Sequence, residues 1–103
     1  MSQILLLITT ESDKKKAKII AKLLIKKKLA ACVSIKQIYS IYEWEDDIEE
    51  TKEVEITIKS KPELKDDLIV FLQKMTSYDV PQIIYQEFYS ETAYSKWINK
   101  VLS

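Results

Sequence analysis

The 103-residue chain contains no glycine, no histidine and no arginine. Average usage of roughly 7% would put about seven glycines in a chain of this length. Without glycine there is no Walker loop and no dinucleotide fingerprint, since both need it where the backbone approaches a phosphate. Without histidine, Ser-His-Asp and Cys-His catalysis and His-ligated metal chemistry are excluded. Without arginine there is no bidentate clamp on phosphate or guanine. All 16 basic residues are Lys. A single cysteine, Cys32, cannot close an internal disulfide, which suits a reducing cytoplasm. The longest apolar run, Ile4 to Ile8, is too short to span a bilayer, so no membrane partner is expected. That run follows Met1-Ser2-Gln3 directly, which leaves no basic region of a secretory signal before it.

What is present describes one globular domain over residues 1–103. Hydrophobic content of 47% supports a packed core. The 16 Lys balance 16 Asp and Glu, which argues against nucleic acid as a partner. Ile4 to Ile8 reads as a strand apolar on both faces. Thr10-Glu11-Ser12-Asp13 has capping-box spacing for a helix in which Ala17, Ile20, Ala21 and Leu24 form the core stripe. Residues 29–35 give a second doubly apolar strand, continuing through Ile38 to Trp44. Glu45-Asp46-Asp47 reads as a hairpin turn in which Asp46 or Asp47 replaces glycine at positive φ. The return strand alternates Val54, Ile56 and Ile58 with Glu55, Thr57 and Lys59. Ser60 to Glu63 has the spacing of a second capping box, and Leu64, Leu68, Phe71, Leu72 and Met75 follow at helical period. A loop over 76–81, a strand over 83–89 and a last helix capped by Ser90 complete the chain.

The order is β-α-β-β-α-β with an extra C-terminal helix, an α+β ferredoxin-like pattern. Two helices cover one face of such a sheet. Strands apolar on both faces leave the other face to be covered, and an oligomer is the expected cover.

Leu29-Ala-Ala-Cys-Val33, Ser40-Ile-Tyr-Glu-Trp44, Tyr78-Asp-Val-Pro-Gln-Ile-Ile84 and Tyr94-Ser-Lys-Trp97 resemble, in order and spacing, the CutA divalent-cation-tolerance family. The resemblance covers Ile4 to Trp97. It implies a cytoplasmic homotrimer like that of the PII signalling proteins, no catalytic activity, and a role in tolerance of divalent metals such as copper. It also implies copper ligands in the first strand, just before the loop and just after the loop proline. Here those positions hold Ile8, Met75 or Thr76, and Gln82, so all three ligand types are lost. The family's loop proline before the tyrosine is Ser77, and its two glycines are Asp46 and Ser90.

The residues leave several readings open. Cys32 is either a small packed hydrophobe or a soft thiolate ligand for copper, as Cu(I), the metal cofactor that the resemblance implies. Eight acids between Glu43 and Glu55 face only Lys52, which reads as a solvated hairpin or as a weak calcium or magnesium site. Eight lysines between Lys14 and Lys28 have no acid among them. Acidic hairpins docking near neighbouring basic helices would gain about 0–1 kcal/mol per exposed pair, so salt should weaken assembly modestly. The aromatic set, Tyr42, Trp44 and Trp97 with Pro81, is assigned to core or subunit interface rather than to base stacking. Guided by the resemblance, Lys59, Tyr78, Asp79 and Gln82 are the candidate ligand pocket between subunits. The leading expectation is a non-catalytic CutA-like homotrimer. The alternative is a PII-like trimeric sensor of a small anionic ligand at the subunit interface.

Overall fold

The computed structural model describes residues 2–103. Leu5, Leu7, Thr9 and Glu11 lie on one face of β1 (Gln3–Glu11) and are buried. Their period of two, with apolar Leu6 and Ile8 between them, is what a central strand requires. β1 pairs antiparallel with β3 (Asp47–Ser60) on one side and with β4 (Ile83–Tyr89) on the other. β2 (Cys32–Trp44) pairs antiparallel with β3 and forms the outer edge. The strand order β2-β3-β1-β4 is the ferredoxin-like one.

Ala17, Ile20 and Leu24 of α1 (Lys14–Lys26) and Leu68 and Leu72 of α2 (Lys65–Met75) pack on one sheet face. There they meet Leu5, Leu7, Val54, Ile56 and Ile58 in the main core. On the opposite face, α3 (Thr92–Val101) packs Ile98, with Leu102 just beyond it, on Ile4 and Ala31, covering one end only. The rest of that face carries Leu6 and Ile8, half-buried, beside exposed Ile84 and Phe88 on β4. The doubly apolar strand expected over residues 4–8 is therefore real, and its second face is left open in the single chain.

The β1–β3 ladder ends at Glu11 opposite Val54. Beyond it, β2 and β3 run on as a two-stranded arm to a turn at Glu45 and Asp46, and the molecule is elongated to 46 × 25 × 22 Å. Both turn residues have positive φ, 51° and 71°, the pattern of a two-residue hairpin turn whose twist matches its strands. Asp46 takes the glycine role as expected. Glu45 shares it, while Asp47 belongs to the return strand.

Several local boundaries differ from the sequence reading. Thr10 and Glu11 are strand residues, and the cap of α1 is Asp13, whose carboxylate accepts from the Lys16 N–H at 2.8 Å. Residues 29–31 precede β2 as a buried connection rather than belonging to it. Ser60 does not cap a helix. Its hydroxyl, buried at the end of β3, donates to the Leu29 carbonyl at 2.7 Å and fastens that connection. The chain then turns through a 3-10 segment, Pro62–Leu64, into α2. Ser90 is likewise not the cap of α3. Glu91 holds that position, with no side-chain hydrogen bond.

Candidate functional site

The arm and the 76–82 loop enclose a groove of about 540 Å3. Its floor is the open sheet face: Thr10 from β1, Ser40 and Tyr42 from β2, and Glu53 from β3. Alternation along antiparallel strands explains why these face together, since Ser40 is opposite Thr51 and Tyr42 opposite Glu49, both in phase with Glu53. Tyr78, Asp79, Val80 and Gln82 form the wall, and Trp44 stands at the outer end.

The loop is held from beneath by a buried acid. Glu11 is the one fully buried charged side chain among the described residues. Its Oε1 accepts the Ser77 N–H at 3.0 Å and lies 3.4 Å from Lys16 Nζ, which itself donates to Ser77 Oγ at 2.6 Å. Thr76 Oγ1 accepts the Tyr78 N–H at 3.1 Å, tightening the turn. These contacts aim Tyr78 at the sheet, where its hydroxyl donates to Glu53 Oε1 at 2.9 Å. Burial pushes the Tyr78 hydroxyl well above the usual phenol range. The hydrogen bond to Glu53 and the negative charges of Glu53 and Glu11 push in the same direction. It is a donor at neutral pH, not a base or nucleophile.

Of the expected pocket residues, Tyr78, Asp79 and Gln82 come together. Lys59 does not join them. It pairs with Leu6 and Cys32, six residues along β3 from Glu53, or roughly 20 Å. Cys32 is half-buried on the same open face, with Lys59 across the ladder. Among the described residues no group of three or more Cys, Asp or Glu could hold a metal ion. The acidic arm fails to do so because alternation splits its carboxylates between two faces. Glu50, for instance, turns to accept the Tyr39 hydroxyl at 3.0 Å. Tyr42 and Trp44 line the groove, whereas Trp97 lies on α3 at the other end of the sheet, stacked on Tyr94 at 5.8 Å. Pro81 is half-buried in the loop.

Glu11 and Glu53 were not legible as site residues. Glu11 sits inside what looks like a helix-capping pattern, and Glu53 inside a run of solvated acids. The one available signal was an acid continuing the buried phase of an apolar strand.

The family described as CutA1 divalent ion tolerance protein matches residues 5–101. Protein CutA of Mus musculus is 44% identical over 73 residues, 70% of this chain but only 41% of the mouse protein, so the match spans less than half of that relative. The divalent-cation tolerance protein CutA of Pyrococcus horikoshii is 35% identical over 80 residues, 78% of each chain. Among solved structures, CutA from Synechococcus elongatus aligns with a TM-score of 0.95 at 33% identity, over 100% of this chain and 93% of its own. A CutA from Archaeoglobus fulgidus described as periplasmic aligns at 0.93 and 30% identity, over 97% and 99%. No helix among the described residues is long and apolar enough to cross a membrane.

Proposed function

The chain belongs to the CutA1 divalent ion tolerance family, and from that premise we propose that it is a non-catalytic homotrimer acting in the cytoplasm in tolerance of metal ions such as copper. The match over residues 5–101 carries the tolerance role. The open sheet face supports assembly, because Leu6, Ile8, Ile84 and Phe88 form an apolar surface that a protomer leaves without cover. The tolerance names of the family and its relatives support the non-catalytic reading.

The residues of one protomer do not fit a resident copper ion. Ile8, Met75 or Thr76, and Gln82 offer neither thiolate nor imidazole nor carboxylate, the Met75 side chain packs against the main core, and Cys32 has an ammonium-bearing neighbour across the ladder. The tolerance role proposed here therefore runs through the assembled scaffold and not through a protomer copper cage. Light scattering tests the assembly, with three times 12.1 kDa expected. Calorimetry with copper, on the parent chain and on Cys32→Ser, tests the metal. Equal weak heats in both are expected, and tight binding abolished by the substitution would overturn the reading. A PII-like sensor of a small anion finds less support, because Glu53 and Asp79 line the groove and no lysine does.

A further inference from the structure

The lysines of α1 break two rules that favour a helix, and no contact inside the protein offsets them. Lys14, Lys18, Lys22 and Lys26 follow one another at steps of four, and like charges at that spacing repel. Lys14 and Lys15 stand in the first turn, where the helix dipole disfavours positive charge, and no acid shares that turn. All five are exposed, and none forms an ion pair among the described residues. Natural sequences keep such local conflicts chiefly at functional sites. Ala17, Ile20 and Leu24 turn the other side of α1 to the sheet, so this ridge faces outward on the helix layer. It lies opposite the open sheet face that the proposed assembly covers.

Apolar surface adjoins the ridge. Ile19 on α1 and Val70 on α2 are each 49% exposed. Ile19 shares a flank of α1 with Lys16, which reaches the loop after α2, and with Lys27, which lines a groove beside α2. That groove, of about 480 Å3, has Leu29, Val70, Phe71 and Met75 on its walls. Lys27 and Lys74 stand on it against one acid, Asp67. A phosphate chain or a nucleic acid would meet the ammoniums and leave the apolar groove unused, and a flat lipid surface does not enter it. A helix with acids flanking an apolar stripe engages both.

We propose that the outer surface of α1 and its groove with α2 dock an acidic amphipathic helix of a partner protein. Its carboxylates meet Lys15, Lys18 and Lys22, and its apolar stripe lies against Ile19, Val70 and Phe71. The ridge from Lys14 to Lys26 rises roughly 18 Å, a little over three turns of such a helix. Every group invoked lies on the helix layer, so docking stands or falls apart from the assembly and copper readings.

The test follows the fluorescence anisotropy of a labelled synthetic helical peptide, with leucine along its apolar stripe and glutamate beside it, titrated with the assembled protein. Saturable binding that weakens with added salt is expected. Lys18→Glu combined with Lys22→Glu should weaken it about tenfold or more, since two attractions become repulsions. The same pair of changes should raise the thermal midpoint, because two of the three like-charge steps of four become opposite. Lost binding is thereby separated from lost fold. Val70→Asp should weaken binding by a similar factor while light scattering stays at the parent mass. The proposal is overturned if the peptide fails to bind, if it binds equally with serine in place of leucine, or if the double variant binds as the parent does. Polyphosphate or phosphatidylserine vesicles binding as tightly through the same lysines would also overturn it.

Discussion

Glu11 combines a charge with complete burial, and its partners explain how that is tolerated. A carboxylate buried without hydrogen bonds is costly. Here the Ser77 N–H and the Lys16 ammonium, itself 37% exposed, divide the charge between a backbone dipole and a solvated cation. Removing the acid leaves the Ser77 N–H without its acceptor. Glu11→Ala should therefore cost about 1–3 kcal/mol in urea unfolding, and it should loosen the 76–82 loop, seen as faster amide exchange at Ser77 and Tyr78. Tyr78 makes a prediction of opposite pH sense from the usual acid case. Its hydroxyl is held above its ordinary value of 10.0, so the stabilisation it brings is complete below about pH 10 and is lost as pH rises further. In tyrosinate absorbance titrations, Tyr78→Phe should remove the phase at highest pH. The stability difference between parent and variant should shrink only on the alkaline side.

At the scale of elements, a chain without glycine has had to bend elsewhere. α1 ends in a Schellman arrangement: the Leu29 N–H donates to the Leu24 carbonyl at 2.9 Å, and the Lys28 N–H to Ile25 at 3.1 Å. Its left-handed position is Lys28, at φ 61°. Lys28 has a compensating contact, since its Nζ donates to the Val101 carbonyl at 3.0 Å near the C-terminus of α3, where positive charge is favoured. Lys28→Gly should change stability by less than about 1 kcal/mol, because relieved left-handed strain of about 1–2 kcal/mol is offset by the lost contact and the added chain entropy. A thermal midpoint within a few degrees of the parent's checks it.

Element identity was legible because Ala17, Ile20 and Leu24 keep one period, and Val54, Ile56 and Ile58 the other. Element ends were not. Ser60 and Ser90 have the chemistry of caps, but tertiary contacts engaged Ser60 on Leu29 and left Ser90 one residue outside the cap. Half of the site was legible for a related reason. Tyr78, Asp79 and Gln82 are adjacent in sequence, whereas Glu53 and Glu11 reach them only through the β1–β3 register.

For the whole molecule, zero net charge hides strong segregation. Lys16 is the one α1 lysine in an ion pair among the described residues, so the rest of that helix presents its charge outward. Exposed pairs across subunits would each contribute about 0–1 kcal/mol, and burial of the open apolar face would contribute more per residue. Phe88→Asp, on that face, should thus lower the assembled mass by light scattering. Raising salt on the parent chain should shift dissociation only modestly.

The arm also bears on the order in which the molecule comes together. Its two strands join residues at most 27 apart, whereas the β1–β4 ladder joins residues up to 86 apart. A hairpin of the first kind closes in about 1–10 μs, long before distant strands meet. Early pairing of the arm would expose bare strand edges before the core has closed, the circumstance in which strands pair with the wrong molecule. Seen in time, the acids between Glu43 and Glu55 act as a kinetic guard. Like charge holds early ribbons apart until the packed sheet supplies a surface on which they are accepted.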